Sequence, residues 1–260
     1  MITDERYAKI VEITNAKGFI STKALAQKLN VTETTIRRDC EELSKKKMII
    51  RVHGGAKSIL HKNILSDRNE RTMKDHAFCN TKEKDIVAKK AASMVKNGSC
   101  IFLDGGTSIL AMLKYLEGKK IKIVTHSKLI VSNFCDYNAE LFCIGGKLIP
   151  EFAMCTGPLT LSGLERFNFD YAFIGCAGID IKRKLVYTAE MDTMAVKQKA
   201  MSLAKKSYLL VDSSKFGVKG FCSFISTDDF DAIFSDNNIN IDANDIPKNF
   251  VLIDTNKAIF

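Results

Sequence analysis

Residues 32–43 constrain the fold of this chain more than any other segment, because their apolar positions recur with the period of an α-helix. Ile36, Cys40 and Leu43 fall at i, i+4 and i+7, so a helix would place them on one stripe that faces a core. Thr32 precedes the stripe, and its hydroxyl is suited to cap the first turn. The segment therefore predicts a short amphipathic helix with a defined start and one buried face.

The opposite face of this predicted helix carries short hydroxyls and guanidinium groups. Thr34, Arg37 and Arg38 point away from the apolar stripe, and Thr35 lies in the same first turns. Backbone N–H groups at a capped helix start bind phosphate, and arginine forks suit the edge of guanine. The helix follows another after a tight turn, as in a helix-turn-helix. We therefore expect these four residues and Thr32 to contact double-stranded operator DNA.

A short β-hairpin is predicted to follow the third helix. Met48–Val52 alternates like a strand, and His53-Gly54-Gly55 permits a tight reversal. Phe19-Ile20 is interpreted as a short connector between the first two helices. Three helices and a hairpin predict a winged helix-turn-helix. Ser21, at the start of the second helix, and Arg51 and His53, in the wing, complete the predicted DNA contacts.

The charge distribution agrees with a nucleic-acid partner at one end of the chain. The formal net charge is +9, and residues 1–60 hold 12 Lys/Arg against 7 Asp/Glu, a balance of +5 that leaves +4 on the other 200 residues. A small basic piece on a nearly balanced remainder fits DNA binding. A solvated basic face would explain the same charge equally well.

Eight cysteines are scattered along the chain without a Cys-x-x-Cys pair or a Cys–His cluster, and the four histidines are dispersed. No metal site is expected from these spacings, and scattered thiols favour a reducing compartment. The N-terminal residues contain no apolar signal core, and no apolar run reaches the ~20 residues that span a bilayer. The expectation is a soluble, cytoplasmic protein without a membrane partner.

From about residue 82 short apolar runs alternate with helical segments, which predicts an α/β domain with a mostly parallel sheet covered on both faces. One predicted helix covers Lys84–Val95, with Met94 facing inward, and another runs from Thr107 to about Leu116. Residues preceding this domain are polar and without a clear period. The predicted domains are a winged helix-turn-helix at 1–57, a linker at 58–80, and an effector-sensing and oligomerisation domain at 81–260.

Ligands of open α/β sheets bind beyond the C-terminal ends of the strands. Small polar groups follow several predicted strands, where glycine lets a backbone approach an oxyanion and hydroxyls bind phosphate. The groups are Asp104-Gly105-Gly106-Thr107, Thr125-His126-Ser127, Gly145-Gly146-Lys147 and Asp212-Ser213-Ser214-Lys215. Gly175, at another strand end, and Glu190, before a helix, join this predicted effector site. Lys215 would add a positive charge, so the ligand is predicted to be a small anionic molecule rich in hydroxyls, such as a sugar phosphate.

Each of these clusters also has a purely structural interpretation as a turn or helix cap. Asp104 and Asp212 could act as general acids or bases, but they are as well suited to capping helices or orienting hydroxyls, so no catalytic residue is assigned. Gly-Gly-Lys-Leu at 145–148 lacks the spacing of a Walker motif, and no Gly-x-Gly-x-x-Gly follows the first strand. No cofactor is therefore expected.

These segments together resemble the DeoR family of bacterial sugar-metabolism repressors. The resemblance rests on Thr34–Asp39 (TTIRRD), Arg51–Ala56 (RVHGGA), Phe102–Thr107 (FLDGGT), Phe173–Asp180 (FIGCAGID) and Val211–Gly217 (VDSSKFG). It implies a sensor domain of the ribose-phosphate-isomerase and CoA-transferase-like fold. It also implies a phosphorylated sugar as the effector that relieves repression.

Five positions depart from the family's usual residues. Cys40 stands where the family usually has Leu, and Lys47 where it usually has Gly. Gly105 replaces Ser, His126 replaces Asn, and Gln198 stands where Lys is common. The last three lie around the expected pocket, so the resemblance does not carry the identity of the effector to this chain.

Three functions remain open at this point. The first is a DNA-binding repressor, working as a homodimer or tetramer, whose effector acts on the DNA-binding parts through residues 57–80. The second is an enzyme, a sugar-phosphate isomerase or an acyl-CoA transferase. The third is a DNA-binding regulator whose altered pocket has lost its ligand. The first is favoured over the second because a metabolic isomerase has no need of a groove-reading helix.

Overall fold

The structure is a computed structural model that describes residues 3–17, 19–52, 54–58, 80–239, 241 and 245–255. The chain divides into two compact units, and the division falls between Asn80 and Thr81 for the described residues. We call residues 3–58 the head and residues 81–255 the body. The predicted linker lies almost wholly outside the described residues.

The head consists of three helices and a small antiparallel sheet. The helices are α1 (Thr3–Lys17), α2 (Thr22–Leu29) and α3 (Glu33–Lys45), and the strands are β1 (Phe19–Ser21), β2 (Ile50–Val52) and β3 (Gly55–Lys57). The stripe of Ile36, Cys40 and Leu43 is fully buried against α1 and α2 residues such as Ile10 and Leu25. The winged helix-turn-helix predicted from the sequence is confirmed.

The wing differs from the predicted hairpin because it has a third strand. The order is β1-β3-β2, and Ile20 lies opposite Ala56. The interpretation of Phe19-Ile20 as a connector was therefore wrong. Both Ile20 and Ala56 are buried, so pairing the segment with β3 closes the head core on that side.

The body is built on a seven-stranded sheet in which every neighbouring pair of strands is parallel. Its strands are β4 (Cys100–Leu103), β5 (Lys122–Thr125), β6 (Glu140–Cys143), β9 (Phe169–Gly175), β12 (Ala204–Leu210), β14 (Ala232–Asp236) and β15 (Phe250–Ile253). They lie in the order β15-β14-β12-β9-β4-β5-β6. The predicted α/β class is confirmed.

Helices cover both faces of this sheet. They are α4 (Thr81–Ala92), α5 (Thr107–Leu110), α6 (Leu113–Leu116), α7 (Lys128–Asn133), α8 (Pro158–Leu164) and α9 (Met191–Ser202). Ile101 and Leu103 of β4 pack in one apolar cluster with α4, whereas Phe102 packs in a second cluster with α9. Alternate strand residues point to opposite faces, so the two clusters lie on the two sides of the sheet.

Two smaller sheets accompany the large one. A hairpin joins β7 (Lys147–Ile149) to β8 (Met154–Thr156). A three-stranded antiparallel sheet contains β10 (Gly178–Asp180), β11 (Leu185–Thr188) and β13 (Cys222–Ser226).

Two helix predictions in the body were wrong in detail. Helix α4 ends at Ala92, and the chain then turns, so Met94 is 38% exposed while Val95 is buried in its place. The helix predicted from Thr107 to Leu116 is split into the single turns α5 and α6. Of the helices that the structure describes, none has the length and apolar character needed to cross a membrane.

Candidate DNA-binding and effector sites

The start of α3 is capped as its sequence predicts. Thr32 adopts an extended backbone, and its hydroxyl oxygen accepts a hydrogen bond from the Thr35 N–H at 3.2 Å. The two threonine hydroxyls also lie 2.9 Å apart. Thr32 and Thr34 are exposed, so the first turn of α3 presents hydroxyls and unpaired N–H groups to solvent.

The arginines that were predicted to contact DNA are on the exposed side of the head. Arg37 lies 3.6 Å from the Glu33 carboxylate, one turn earlier, and its side chain is 64% exposed. Arg51 of β2 lies 3.7 Å from Glu41. Arg38 is exposed and forms no ion pair within the parts of the chain that the structure describes. Exposed pairs of this length are weak, so all three guanidinium groups are available to an incoming phosphate or base.

Ser21 and His53 were also predicted to contact DNA. Ser21 is partly buried, and its hydroxyl oxygen accepts from the Ala24 N–H at 3.2 Å as the cap of α2. His53 lies outside the described residues.

A buried ion pair that the sequence analysis missed fixes α3 against α1. The Arg6 guanidinium donates to both carboxylate oxygens of Asp39, with Nε–Oδ2 at 2.5 Å and Nη2–Oδ1 at 3.1 Å. The side chains are 13% and 5% exposed. The bond to Asp39 raises the pKa of Arg6. Asp39 follows Arg38 directly, so this contact orients the helix that carries the exposed arginines.

In the body, the parallel sheet brings the predicted effector residues to one edge. Asp104, His126 and Gly175 follow or end the neighbouring strands β4, β5 and β9 at their C-terminal ends. The Asp104 carboxylate joins them, since it accepts from Gly175 N–H at 2.9 Å and lies 3.2 Å from His126 Nε2.

Lys197 of α9 completes this cluster and was not predicted. Its ammonium group donates to Asp104 Oδ2 and, at 3.1 Å, to the Gly175 carbonyl oxygen. The side chains of Lys197 and Asp104 are 6% and 0% exposed. Burial alone would raise the pKa of Asp104, but Lys197 and His126 outweigh it and hold that pKa well below its usual range. The oxygens of Asp104, a residue of the predicted effector site, are buried and contact Gly175, His126 and Lys197 in this structure.

His126 is held between two acceptors and an aromatic ring. Its Nδ1 lies 2.7 Å from the Cys155 carbonyl oxygen, and its Nε2 faces Asp104. Both ring nitrogens therefore lie within hydrogen-bond distance of oxygen atoms. The ring stacks on Phe102 with centroids 5.8 Å apart. The His126 side chain is therefore fully buried among protein groups.

Two other predicted residues beside His126 also serve the fold. Thr125 is buried, donates to the Leu103 carbonyl oxygen at 2.7 Å and accepts from the Ser127 N–H at 3.1 Å. Ser127 is buried and caps α7 through the Ile130 N–H. The buried residues at this edge form what we call the floor of the site: Asp104, Gly105, Thr125, His126, Ser127, Gly175 and Lys197.

A second set of predicted residues is accessible, and we call it the rim. Gly106 and Thr107 are half-buried, and Gly145, Gly146 and Lys147 are exposed. The Lys147 ammonium lies 3.6 Å from Asp192, with its side chain 75% exposed. Helix α5, which begins at Thr107, has only one turn, so its dipole contributes little positive potential at the rim.

Lys215 lies on the rim at the end of β12. It belongs to a single 3-10 turn, Ser213–Lys215, that Asp212 caps by accepting from the Ser214 N–H at 3.2 Å. Burial raises the pKa of Cys176, at the end of β9, to about 12 although the positive charge of Lys215 opposes this. Glu190 is half-buried at the start of α9, where its side chain makes no capping bond.

A signal for Lys197 was present in the sequence. Thr193, Val196, Lys197 and Ala200 fall at i, i+3, i+4 and i+7, and all four are buried. A lysine within an apolar helical stripe needs a buried partner, since an unpaired buried ammonium is costly. No three His, Cys, Asp or Glu side chains of the described residues gather as a metal ion would require.

The head and the body define a class of protein, a winged helix-turn-helix regulator with an α/β sensor domain. The family model for the DeoR-like helix-turn-helix domain matches residues 6–62, and that for the DeoR C terminal sensor domain matches residues 79–237. The chain belongs to the DeoR family of transcriptional regulators, as its resemblance indicated.

By their names, the relatives of this chain include transcriptional regulators and a repressor. The uncharacterized HTH-type transcriptional regulators FruR and YulB of Bacillus subtilis are 30% and 31% identical, over 91% and 92% of this chain and 92% and 91% of theirs. The lactose phosphotransferase system repressor of Staphylococcus epidermidis is 28% identical, over 90% of this chain and 92% of its own.

Solved structures with lower similarity match parts of the chain. Ribose 5-phosphate isomerase A from Methanocaldococcus jannaschii has a TM-score of 0.39 and 20% identity, covering 53% of this chain and 55% of its own. The eIF2B beta subunit from Chaetomium thermophilum has a TM-score of 0.42 and 11% identity, covering 61% and 51%.

Proposed function

We propose that this chain is a sequence-specific DNA-binding repressor of a sugar-metabolism operon, and that a phosphorylated sugar relieves the repression. One observation carries the first half of the proposal. Helix α3 is capped at Thr32, buried along Ile36, Cys40 and Leu43, and exposed along its arginine face. A helix held in this way can enter the major groove without rearranging.

The DNA contacts divide by chemistry. The hydroxyls and N–H groups at the start of α3 suit phosphate oxygens, which fix the position of the head on the duplex. Arg37 and Arg38 suit base edges, and a bidentate guanine contact contributes ~1–3 kcal/mol of discrimination. Glu33 must release Arg37 when it binds, whereas Arg38 has no such partner among the described residues. Arg38 is therefore the stronger candidate for base reading.

The effector would bind at the C-terminal edge of the body. On the rim, Lys215 and Lys147 supply positive charge, and Thr107 and the glycine backbone supply hydrogen bonds to phosphate or hydroxyl oxygens. Within the floor, the Asp104–Lys197 ion pair joins the end of β4 to α9. The name of one relative, a lactose phosphotransferase system repressor, supports a sugar-derived ligand. No cofactor and no catalytic residue belong to this proposal.

Two copies of the chain are needed for selective binding, because one winged head covers few base pairs. Helix-turn-helix proteins place two recognition helices on half-sites ~34 Å apart or multiples of that distance. We propose that the body provides the symmetric contact of a homodimer or tetramer.

DNA binding is tested by selecting duplexes from a random pool with the purified full chain, then measuring fluorescence anisotropy. Arg38→Ala should weaken binding to the selected duplex by ~1–3 kcal/mol and relax selection at one position. Lys205→Ala is the matched control, since it removes the same charge from β12 of the body. Equal binding of selected and random duplexes at low salt would overturn the proposal.

The effector and the rival functions are tested together. Thermal unfolding with a panel of sugar phosphates should reveal stabilisation of ~2.7 kcal/mol at 100 times the dissociation constant. No stabilisation by any of them would favour the regulator with an altered pocket. Conversion of ribose 5-phosphate into product would favour the enzyme.

A further inference from the structure

The side chain of Met154 lies directly against Gly105 at the C-terminal edge of β4. A Cβ atom on Gly105 would be 2.6 Å from Cγ and 2.7 Å from Sδ of Met154, well inside the ~3.5 Å of ordinary carbon contacts. All three heavy atoms nearest to that position belong to Met154. The absence of a side chain at Gly105 is what lets Met154 occupy this space.

The hairpin that carries Met154 is fixed to the floor of the site by backbone bonds. Lys128 N–H donates to the Ala153 carbonyl oxygen at 2.8 Å, and Cys155 N–H donates to the His126 carbonyl oxygen at 2.8 Å. His126 Nδ1 also reaches the Cys155 carbonyl oxygen. Met154 therefore stands between two anchored residues, and its backbone position is set by the floor.

Met154 also belongs to a small apolar cluster at this edge. Phe152, Met154, Ala177 and Ala189 are 9%, 5%, 8% and 5% exposed, and the partly buried Leu129, Ile149 and Val218 pack against them. Ala177 follows Cys176, and Ala189 precedes Glu190, so the cluster lies beside residues of the predicted effector site. The alanine side chains of this cluster are small, whereas methionine is long, unbranched and flexible. The Met154 side chain therefore determines where this apolar boundary of the site lies.

We propose that Met154, seated on Gly105, is the residue that determines the size of the effector. The proposal rests on the proposed function, since it concerns the sugar phosphate that binds at this edge. The Met154 side chain takes up volume against Gly105, and it restricts the site to a small phosphorylated sugar. A side chain at position 105 would require Met154 to move, so the two residues act as a pair.

The test measures dissociation constants by calorimetry for erythrose 4-phosphate, ribose 5-phosphate, glucose 6-phosphate and trehalose 6-phosphate, with the full-length chain. Met154→Ala removes the boundary, and we expect the ratio of affinities to shift toward the larger sugars by ~10- to 200-fold. Phe152→Ala is the matched control, because it removes apolar volume from the same cluster but not from above Gly105. It should lower the melting temperature and leave the order of preference unchanged.

A second pair of variants tests the contact without any ligand. Gly105→Ser should lower the melting temperature when Met154 is present and leave it unchanged in the Met154→Ala background, where the added atoms find room. A loss of equal size in both backgrounds would show that the two residues do not meet.

The outcomes separate this proposal from the proposed function. If the natural chain binds one of the four sugar phosphates and Met154→Ala leaves the preference unchanged, the size determinant is overturned and the effector site stands. The same holds if Phe152→Ala shifts the preference as far as Met154→Ala does. If neither the natural chain nor any variant binds a sugar phosphate, the effector half of the proposed function fails and the size determinant with it.

Discussion

Replacing Asp104 with Asn should destabilise the body severely, because Lys197 would remain as a buried cation without its carboxylate. The two side chains are 0% and 6% exposed, so water cannot take the place of the lost partner. Removing one member of a buried pair costs ~3–5 kcal/mol. For a unit of this size each kcal/mol shifts the melting temperature by roughly 2–4 °C, so the expected fall is about 6–20 °C.

Differential scanning calorimetry measures this change on the full chain, and the head serves as an internal reference. The head has its own buried core, formed by residues such as Ile10, Ile36 and Leu43, and Asp104 is not part of it. We therefore expect the body transition to move while the head transition stays in place. A fall in the body transition of less than about 2 °C would refute the assignment of an uncompensated charge to Lys197.

A second substitution distinguishes the buried charge from loss of shape. Asp104→Asn combined with Lys197→Met removes both charges, and buried ion pairs exchanged for apolar groups are often neutral in stability. The double variant should therefore recover most of the lost melting temperature. If it is as unstable as Asp104→Asn alone, the carboxylate matters through its bonds to Gly175 and His126 instead.

The pH dependence of the same variant follows from the lowered pKa of Asp104. A carboxyl group whose pKa is lower in the folded state than the usual ~3.9 stabilises the fold fully above that value. This stabilisation is lost as the pH falls further, when the folded-state carboxylate takes up a proton. The difference between the natural chain and Asp104→Asn should be fully developed above about pH 5 and should narrow below about pH 4.

Three further predictions concern the head and the rim. Arg6→Ala should lower the stability of the head by ~3–5 kcal/mol, because Asp39 would lose its bidentate partner, and calorimetry of the head transition tests this. Thr32→Ala should cost about 1 kcal/mol through the lost cap of α3, and unchanged urea unfolding of the head would contradict it. Lys215→Ala should leave DNA affinity intact and abolish release by the effector in anisotropy titrations, whereas loss of DNA binding would mean that Lys215 is structural.

The sequence predicted α3 well because its structure is determined locally. One apolar stripe and one capping threonine fix its start, its buried face and its exposed arginines. The strand Phe19–Ser21 is different, since three residues carry no period and become a strand only by pairing with β3, over thirty positions away. The division of the helix predicted from Thr107 to Leu116 into α5 and α6 was also not predictable from local sequence. The turn between these helices depends on packing against the sheet.

The sequence predicted where the candidate site lies better than it predicted which side chains face a ligand. Parallel strands bring Asp104, His126 and Gly175 to one edge by topology alone, and the polar residues at the strand ends indicate that edge. Whether each side chain faces a ligand or the protein depends on distant partners. Asp104 meets Lys197 from a position 93 residues later, a pairing that no local pattern contains.

The order of the contacts along the chain has a consequence for protein synthesis. The core of the head is complete once Ala56 has left the ribosome, whereas the sensing edge requires residues up to at least Lys197 and Lys215. Domains generally fold in the order of their emergence. A nascent or prematurely terminated chain would thus contain a folded groove-reading unit long before it contained anything able to bind a metabolite.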